Sequence, residues 1–326
     1  MTVDVVCFGE TMALVAPDPP QPLTVAAHLV LSCAGAESNV AVSLARLGSR
    51  AQWCSRLGDD PFGHRILDTI AGAGVGIDAV RLCPGQRTGV FFKNPEHGRT
   101  SVLYYRDRSA AAGMDDTDVD RALASGPRIL HLTGITPALS ESCFRAVDYA
   151  VGRAKDSGVL VSFDVNYRPA LWSDPARAGH ELQRTAQRAD IVFVGLDEAA
   201  ALWGATTETE VRALIDRPDV LVVKDGARSA TGFDRDRRVE VPAVPVDVVE
   251  PVGAGDAFAA GWLHAHLRGR DAVEALRLGH LVAAGSLTSA TDHSREAVAA
   301  QVLERLAASQ SGWPPHPWPL AHDGRS

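Results

Sequence analysis

Asp256 stands directly behind Gly253-Ala254-Gly255 and opens an apolar run in which Phe258, Ala259, Trp262 and Leu263 recur at helical spacing. The preceding residues, Val244 to Val249, read as a strand, so a sharp strand-to-helix turn is expected here. Side chains this small leave the amides of residues 253 to 256 open at a helix N-terminus, where unpaired N–H groups and the helix dipole favour an anion. Asp256 is thus a carboxylate placed where an anion should bind. An N-capping aspartate in a tight turn has the same local sequence. A second constellation is cationic. In SVLYYRDR, alternation puts Tyr104 and Arg106 on one face of a strand and Tyr105 on the other. Arg168 follows the strand VLVSFDVN near its C-terminal end, where open α/β sheets place their ligand crevice. Two arginines converging there suit a carboxylate, through charge-assisted and bidentate hydrogen bonds. The plain alternative has Arg106 solvated on an edge strand and Arg168 paired with a structural acid.

These residues need a scaffold, and the rest of the chain supplies one. Short β-rich runs (VDVVCFG, AQWCSRLG, RILHLTG, VLVSFDVN, IVFVG) alternate with helical patterns such as Asn39 to Leu47, ILDTIAGAG, FRAVDYAVGRAK and DEAAALWG. That alternation predicts a parallel sheet with helices on both faces. Two segments break it. Residues 12 to 33 and 88 to 108 read as strands without helices between them, the second a hairpin around Pro95 to Gly98, and they predict a small sheet laid over the main one as a lid. The tail from residue 311 to 326 is Pro-rich and aperiodic, which predicts loose packing or disorder.

Composition narrows the classes. A chain of 326 residues, 46% hydrophobic and 22% charged, buries a sizeable core. It contains no run of about 18 apolar residues, and MTVDVVCFGE is neither a basic leader nor a long apolar segment, so a cytoplasmic protein off the membrane is expected. Five scattered cysteines (Cys7, Cys33, Cys54, Cys83, Cys143) without CxxC spacing predict small buried hydrophobes rather than disulfides or a zinc site. A formal charge of −8 argues against nucleic acid as partner. No GxxxxGK[ST] occurs, and the glycines of AGAGVGID have the wrong spacing for a dinucleotide loop and fit a helix end instead. His264 and His266 lie two apart, on different sides of a helix, and are expected to be exposed rather than metal-bound.

The stretches EPVGAGDAFAAG, AGAESNVAVSLARLG and GDDPFG (Gly58 to Gly63) resemble the ribokinase-like (PfkB) family of carbohydrate kinases, over residues 3 to 306. The resemblance implies an α/β fold, doubly wound around a mostly parallel sheet, with a β-sheet lid. Residues 1–310 would form the kinase domain and 311–326 the tail. GAESNVAVSLARLG, YYRDRSA, LTGITPALS and FDVNYRPALW look more narrowly like its 2-keto-3-deoxygluconate kinase branch.

The family's mechanism makes Asp256 the base that takes a proton from a sugar hydroxyl, while the amides of Gly253, Ala254 and Gly255 hold charge on the transferring phosphoryl group. ATP and Mg²⁺ are implied as cofactors, with a monovalent cation near Glu250, which stands where the family usually has aspartate. By the same resemblance Lys224 and Gly226 border the nucleotide in VVKDGARSATGF, with Ser229 in place of a second glycine, and His280 approaches it from a helix rich in small residues, which ordinary close helix packing explains equally well. Glu198 resembles the glutamate that positions hydrated Mg²⁺, with Gly195 replacing the motif's asparagine; an acidic first helical turn is the plain alternative. Gly35 and Asn39 resemble sugar-hydroxyl contacts, and Tyr104, Arg106 and Arg168 those to a sugar acid. Phe91 lies where the branch has tyrosine. Lid-to-lid pairing as a homodimer is implied as well. The rival readings are a fructokinase or another neutral-sugar or nucleoside kinase, and a non-catalytic ligand sensor on the same fold.

Overall fold

Ile129–Thr133 and Ile191–Gly195 are buried at every residue, a pattern that inner strands covered by helices on both faces produce. The protein is described here by a computed structural model covering residues 2–96, 99–235, 237–249, 252–288, 300–309 and 312–314. The chain opens with β1 (Val5–Phe8), β2 (Met12–Pro17), β3 (Leu29–Ala34), α1 (Ala36–Arg46), β4 (Ala51–Cys54), β5 (Arg56–Gly58) and α2 (Pro61–Gly72). There follow β6 (Arg81–Cys83), β7 (Val90–Glu96), β8 (Arg99–Tyr105), α3 (Asp116–Leu123), β9 (Ile129–Thr133) and α4 (Glu141–Asp156). Then come β10 (Leu160–Asp164), α5 (Pro175–Ala186), β11 (Ile191–Gly195), α6 (Leu196–Trp203) and α7 (Glu208–Leu214). Last are β12 (Val220–Asp225), β13 (Ser229–Asp234), β14 (Arg237–Pro242), α8 (Ala254–Leu267), α9 (Ala272–Leu287) and α10 (Ala300–Ala308).

The main sheet has the order β14-β13-β12-β11-β10-β9-β1-β4 and is parallel from β12 to β4, with β13 and β14 added antiparallel at one edge. Period two splits its side chains between two cores. Val5, Cys7, Ile129, Phe193 and Val222 pack with α1, α8 and α9. Val6, Phe8, Leu130, Phe163 and Val223 pack with α4 and α5. The register aligns the strand ends, pairing Asp164 with Thr133 and Gly195 with Lys224, so the residues that leave β10, β11 and β12 emerge along one edge. The lid is a four-stranded sheet of order β3-β2-β7-β8, with a small core of Met12, Leu14, Ala34 and Phe91. All five cysteines are buried and outside any disulfide, and Gly74 ends α2 at φ 86°, as the sequence predicts.

Three expectations are corrected. Val244 to Val249 is not a strand: β14 is already the sheet edge, and Pro242 and Pro245 offer no N–H to a ladder. The segment instead crosses back toward α8, held by a hydrogen bond from Val249 N–H to the Leu287 carbonyl at 2.8 Å. His264 is fully buried rather than exposed, its ring between Ser49 Oγ at 2.8 Å and Glu304 Oε1 at 3.2 Å, and His266 stacks on Trp262 at 5.1 Å. The beginning of the tail is docked. Trp313 donates to the Pro242 carbonyl at 3.0 Å and lies 5.1 Å from the Arg277 guanidinium, because a large amphipathic ring finds both apolar area and an acceptor at that edge. Residues 315–326 and Glu250 lie outside the described residues.

Candidate active site

Gly253 caps α8 at φ 86°, a left-handed conformation that glycine adopts at no steric cost, and no side chain among the described residues caps the helix. The first amides of α8 are therefore unspent by capping. Asp256 is not the N-cap; it lies inside the first turn, which decides against the capping alternative. Its carboxylate is 7% exposed and accepts from Asn39 Nδ2 at 2.9 Å and Asn166 Nδ2 at 3.3 Å. Burial pushes its pKa up to about 7; the Asn39 hydrogen bond opposes this, the Asp164 charge adds to it, and Arg168 and Lys224 pull it down. That value suits a base working near neutrality.

Beside it lies a chain of buried charges. Lys224 Nζ donates to Asp164 Oδ2 at 2.8 Å and sits 3.4 Å from where a Cβ on Gly255 would be. Burial alone would lower the Lys224 pKa, but the carboxylates of Asp164 and Glu198 overcome it and raise it. Glu198 Oε2 accepts from Gly195 N–H at 2.7 Å and Oε1 from Tyr167 N–H at 2.9 Å, so both oxygens are engaged by backbone. Burial, then the Asp164 charge, raises its pKa. Asp164 Oδ1, by contrast, is buried with no hydrogen-bond partner among the described residues.

A cavity of about 160 Å³ opens between lid and main sheet, lined by Glu10, Gly35, Tyr104, Arg106, Ile135 and Arg168 among others. Tyr104 and Arg106 thus reach one wall together, as strand alternation predicts, while Tyr105 points away and is 66% exposed. Gly35 is needed for close approach: a Cβ there would lie 2.3 Å from the Glu10 carbonyl oxygen. Arg106 pairs with Glu10, whereas the Arg168 guanidinium is exposed and has no ion-pair partner among the described residues. A smaller cavity, about 10 Å³ between His264, Arg268 and Glu304, lies at the far end of α8 and has room for about one water.

Residues 2–295 match the model of the pfkB family carbohydrate kinases. The chain is a PfkB-family carbohydrate kinase. It is 34% identical over 302 residues to 2-dehydro-3-deoxygluconokinase of Thermoproteus tenax, covering 91% of each chain. It is also 32% identical over 264 residues to fructokinase-2 of Zea mays, covering 79% of this chain and 78% of the relative. The solved PfkB protein of Polaromonas sp. JS666 superposes with a TM-score of 0.82 at 36% identity, over 88% of this chain and 96% of that one. The kinase therefore has the ribokinase-like fold, and membership of an enzyme family stands against an idle sensor.

Within the kinase, the residues singled out by sequence fall into three groups. Gly35, Asn39, Tyr104, Arg106, Arg168 and Asp256 gather at or beside the cavity. Lys224, Glu198 and the turn Gly253-Ala254-Gly255 adjoin Asp256 on the other side, and Gly226 forms the β12–β13 turn at φ 53°. His280 is turned inward: its Nε2 bonds the Val241 carbonyl at 3.1 Å, its ring meets Phe258 edge-on at 5.1 Å, and burial lowers its pKa to about 4. The ring is used in packing α9 against α8 and β14. Sequence reasoning passed over Glu10, Asp164 and Asn166. The signal available for Asn166 was its place in FDVNYRP, directly after β10, where its φ of 38° is the left-handed conformation that asparagine tolerates better than most residues.

Proposed function

We propose that the kinase transfers the γ-phosphoryl group of ATP to a primary hydroxyl of 2-keto-3-deoxygluconate or a closely related keto-deoxy sugar acid. The observation that carries this reading is the free guanidinium of Arg168 facing the same cavity as Tyr104 and Arg106, close enough for its charge to act on Asp256. A carboxylate at the arginine end leaves the polyol chain to extend toward Asp256. Asn39 Oδ1 and Asn166 Oδ1 are buried there without partners among the described residues, and such acceptors suit donating hydroxyls. Gly35 keeps the α1 end of the cavity open.

Asp256 takes the proton of the reacting hydroxyl at its carboxylate, while the free amides at the start of α8 face the charge that develops. Lys224 carries positive charge to the same place. ATP and Mg²⁺ supply the phosphoryl group and its counter-charge when bound. For Mg²⁺, which uses one or two carboxylates beside phosphate oxygens, Asp164 Oδ1 is the free oxygen, and Glu198 acts through its charge and by bracing the β10 and β11 ends. The lid also exposes Val30, Leu103 and Tyr105 on its two edge strands, which supports pairing of lids in a homodimer. A neutral-sugar kinase is the second reading, favoured by Glu10, which already occupies Arg106.

A sugar panel separates the two. We expect kcat/KM for 2-keto-3-deoxygluconate to exceed that for fructose and ribose. Arg168→Ala should raise KM for the acid roughly 10- to 150-fold, the 1.5–3 kcal/mol scale of a hydrogen bond to a charged group, with little change in KM for ATP. Fructose matching the acid, or an Arg168→Ala variant within about twofold of the parent, would overturn the sugar-acid reading.

A further inference from the structure

The cavity that collects the arginines also holds an acid. Glu10, just beyond β1, has a side chain only 1% exposed. Its Oε2 accepts from Arg106 Nη2 and its Oε1 from Ser109 Oγ, the latter at 2.5 Å. The Arg106 guanidinium also lies 5.7 Å from the Tyr104 ring centroid, and its Nε is buried with no hydrogen-bond partner among the described residues. One arginine of the pair is thus fixed and neutralised, and the other is free. A carboxylate in contact with a guanidinium preserves the directions of its remaining N–H groups but cancels most of the charge felt by a third group.

We propose that Glu10 is a positioning residue that sets specificity: it aims the Arg106 fork across the cavity and cancels its charge. A sugar acid then meets one net positive charge, from Arg168, and oriented hydrogen bonds from Arg106. The inference rests on the sugar-acid reading above. It has an unusual consequence, because removing the charge of Glu10 and removing its geometry act in opposite directions. Glu10→Gln keeps an oxygen for Arg106 and an amide for Ser109 Oγ but deletes the negative charge. Glu10→Asp keeps the charge but is a methylene short, so the Arg106 fork loses its anchor.

The readout is the ratio of kcat/KM for 2-keto-3-deoxygluconate to that for fructose at saturating ATP, which cancels any loss of folded enzyme. Glu10→Gln should raise this ratio about 3- to 10-fold, as one unscreened charge several ångströms from a carboxylate in partly screened surroundings would. Glu10→Asp should lower it about 10-fold, the scale of one misaligned charge-assisted hydrogen bond. Calorimetric Kd values for the acid without nucleotide should move the same two ways. If both variants move the ratio in one direction, or neither moves it, while the parent prefers the acid, the role of Glu10 is refuted and the sugar-acid reading stands. If the parent itself prefers fructose and binds no acid, that reading falls and the role of Glu10 falls with it.

Discussion

As the proposed base, Asp256 combines two properties that pull against each other: that role requires it to ionise, and burial first of all opposes its ionisation. Replacing it with Asn should lower kcat by at least about 10²-fold, the low end for loss of a general base, with sugar binding retained by calorimetry. The pH dependence follows in sign. The active form is the carboxylate, so kcat/KM should fall as pH drops through about 7. The Asn39 hydrogen bond favours the charged form, and Asn39→Ala should move that limb to higher pH. Stability runs the other way. A carboxyl whose pKa is higher in the folded state takes up a proton on folding between its unfolded value of 3.8 and about 7, so the folded state loses stability as pH rises through that window. Asp256→Asn lacks this loss, and its melting temperature relative to the parent should rise between pH 5 and pH 8. A constant difference across that range would mean that Asp256 ionises freely in the folded enzyme.

At the scale of elements, the site is made by two helix N-termini and the strand ends between them. Gly35 and Gly253 cap α1 and α8 without side-chain bonds, and Asn39 of α1 meets Asp256 of α8 directly. The two glycines are there for different reasons. Gly35 has extended backbone and is required by the 2.3 Å approach of a would-be Cβ to Glu10, while Gly253 is required by φ 86°. Gly253→Ala should cost about 1–2 kcal/mol for a left-handed residue with a Cβ, or else relax the turn and re-aim its amides. Chemical denaturation and kcat together test this. A variant with parental stability and parental kcat would show that the turn tolerates a Cβ and that its conformation does not matter to the reaction.

At the scale of the whole molecule, the lid joins the cavity to an outer surface. Phe91, on the lid's inner face, is buried 5.7 Å from the Tyr104 ring, while Leu103 and Tyr105 of the same hairpin are 46% and 66% exposed. If lids pair, Tyr105→Glu should place a charge in an apolar contact and shift sedimentation from dimer toward monomer, with KM for the sugar rising as the lid loses support. A chain that sediments as a monomer before any substitution would remove lid pairing.

Local pattern was enough for the parallel strands, the two-faced sheet, the lid hairpin and the helix behind Gly253-Ala254-Gly255, because period two and period 3.6 are properties of neighbours in the chain; it misread Val244 to Val249, whose alternation has no sheet edge to join. The same alternation placed Tyr104 and Arg106 on one wall. What lies opposite a given face is not a local property. Asn166 reaches Asp256 across 90 residues and Arg106 reaches Glu10 across 96, pairings that exist only once β1, β10 and the lid share one edge of the fold. For the same reason the helical register of His264 and His280 was legible, but not their burial, since α10 covers one and β14 engages the other. Sequence by itself therefore determined the family and singled out Asp256, Arg106 and Arg168 as the candidates for base and carboxylate clamp. Only tertiary structure decided which charges neutralise one another, because a carboxylate and a guanidinium far apart in the chain act as a pair only when folding excludes water from both.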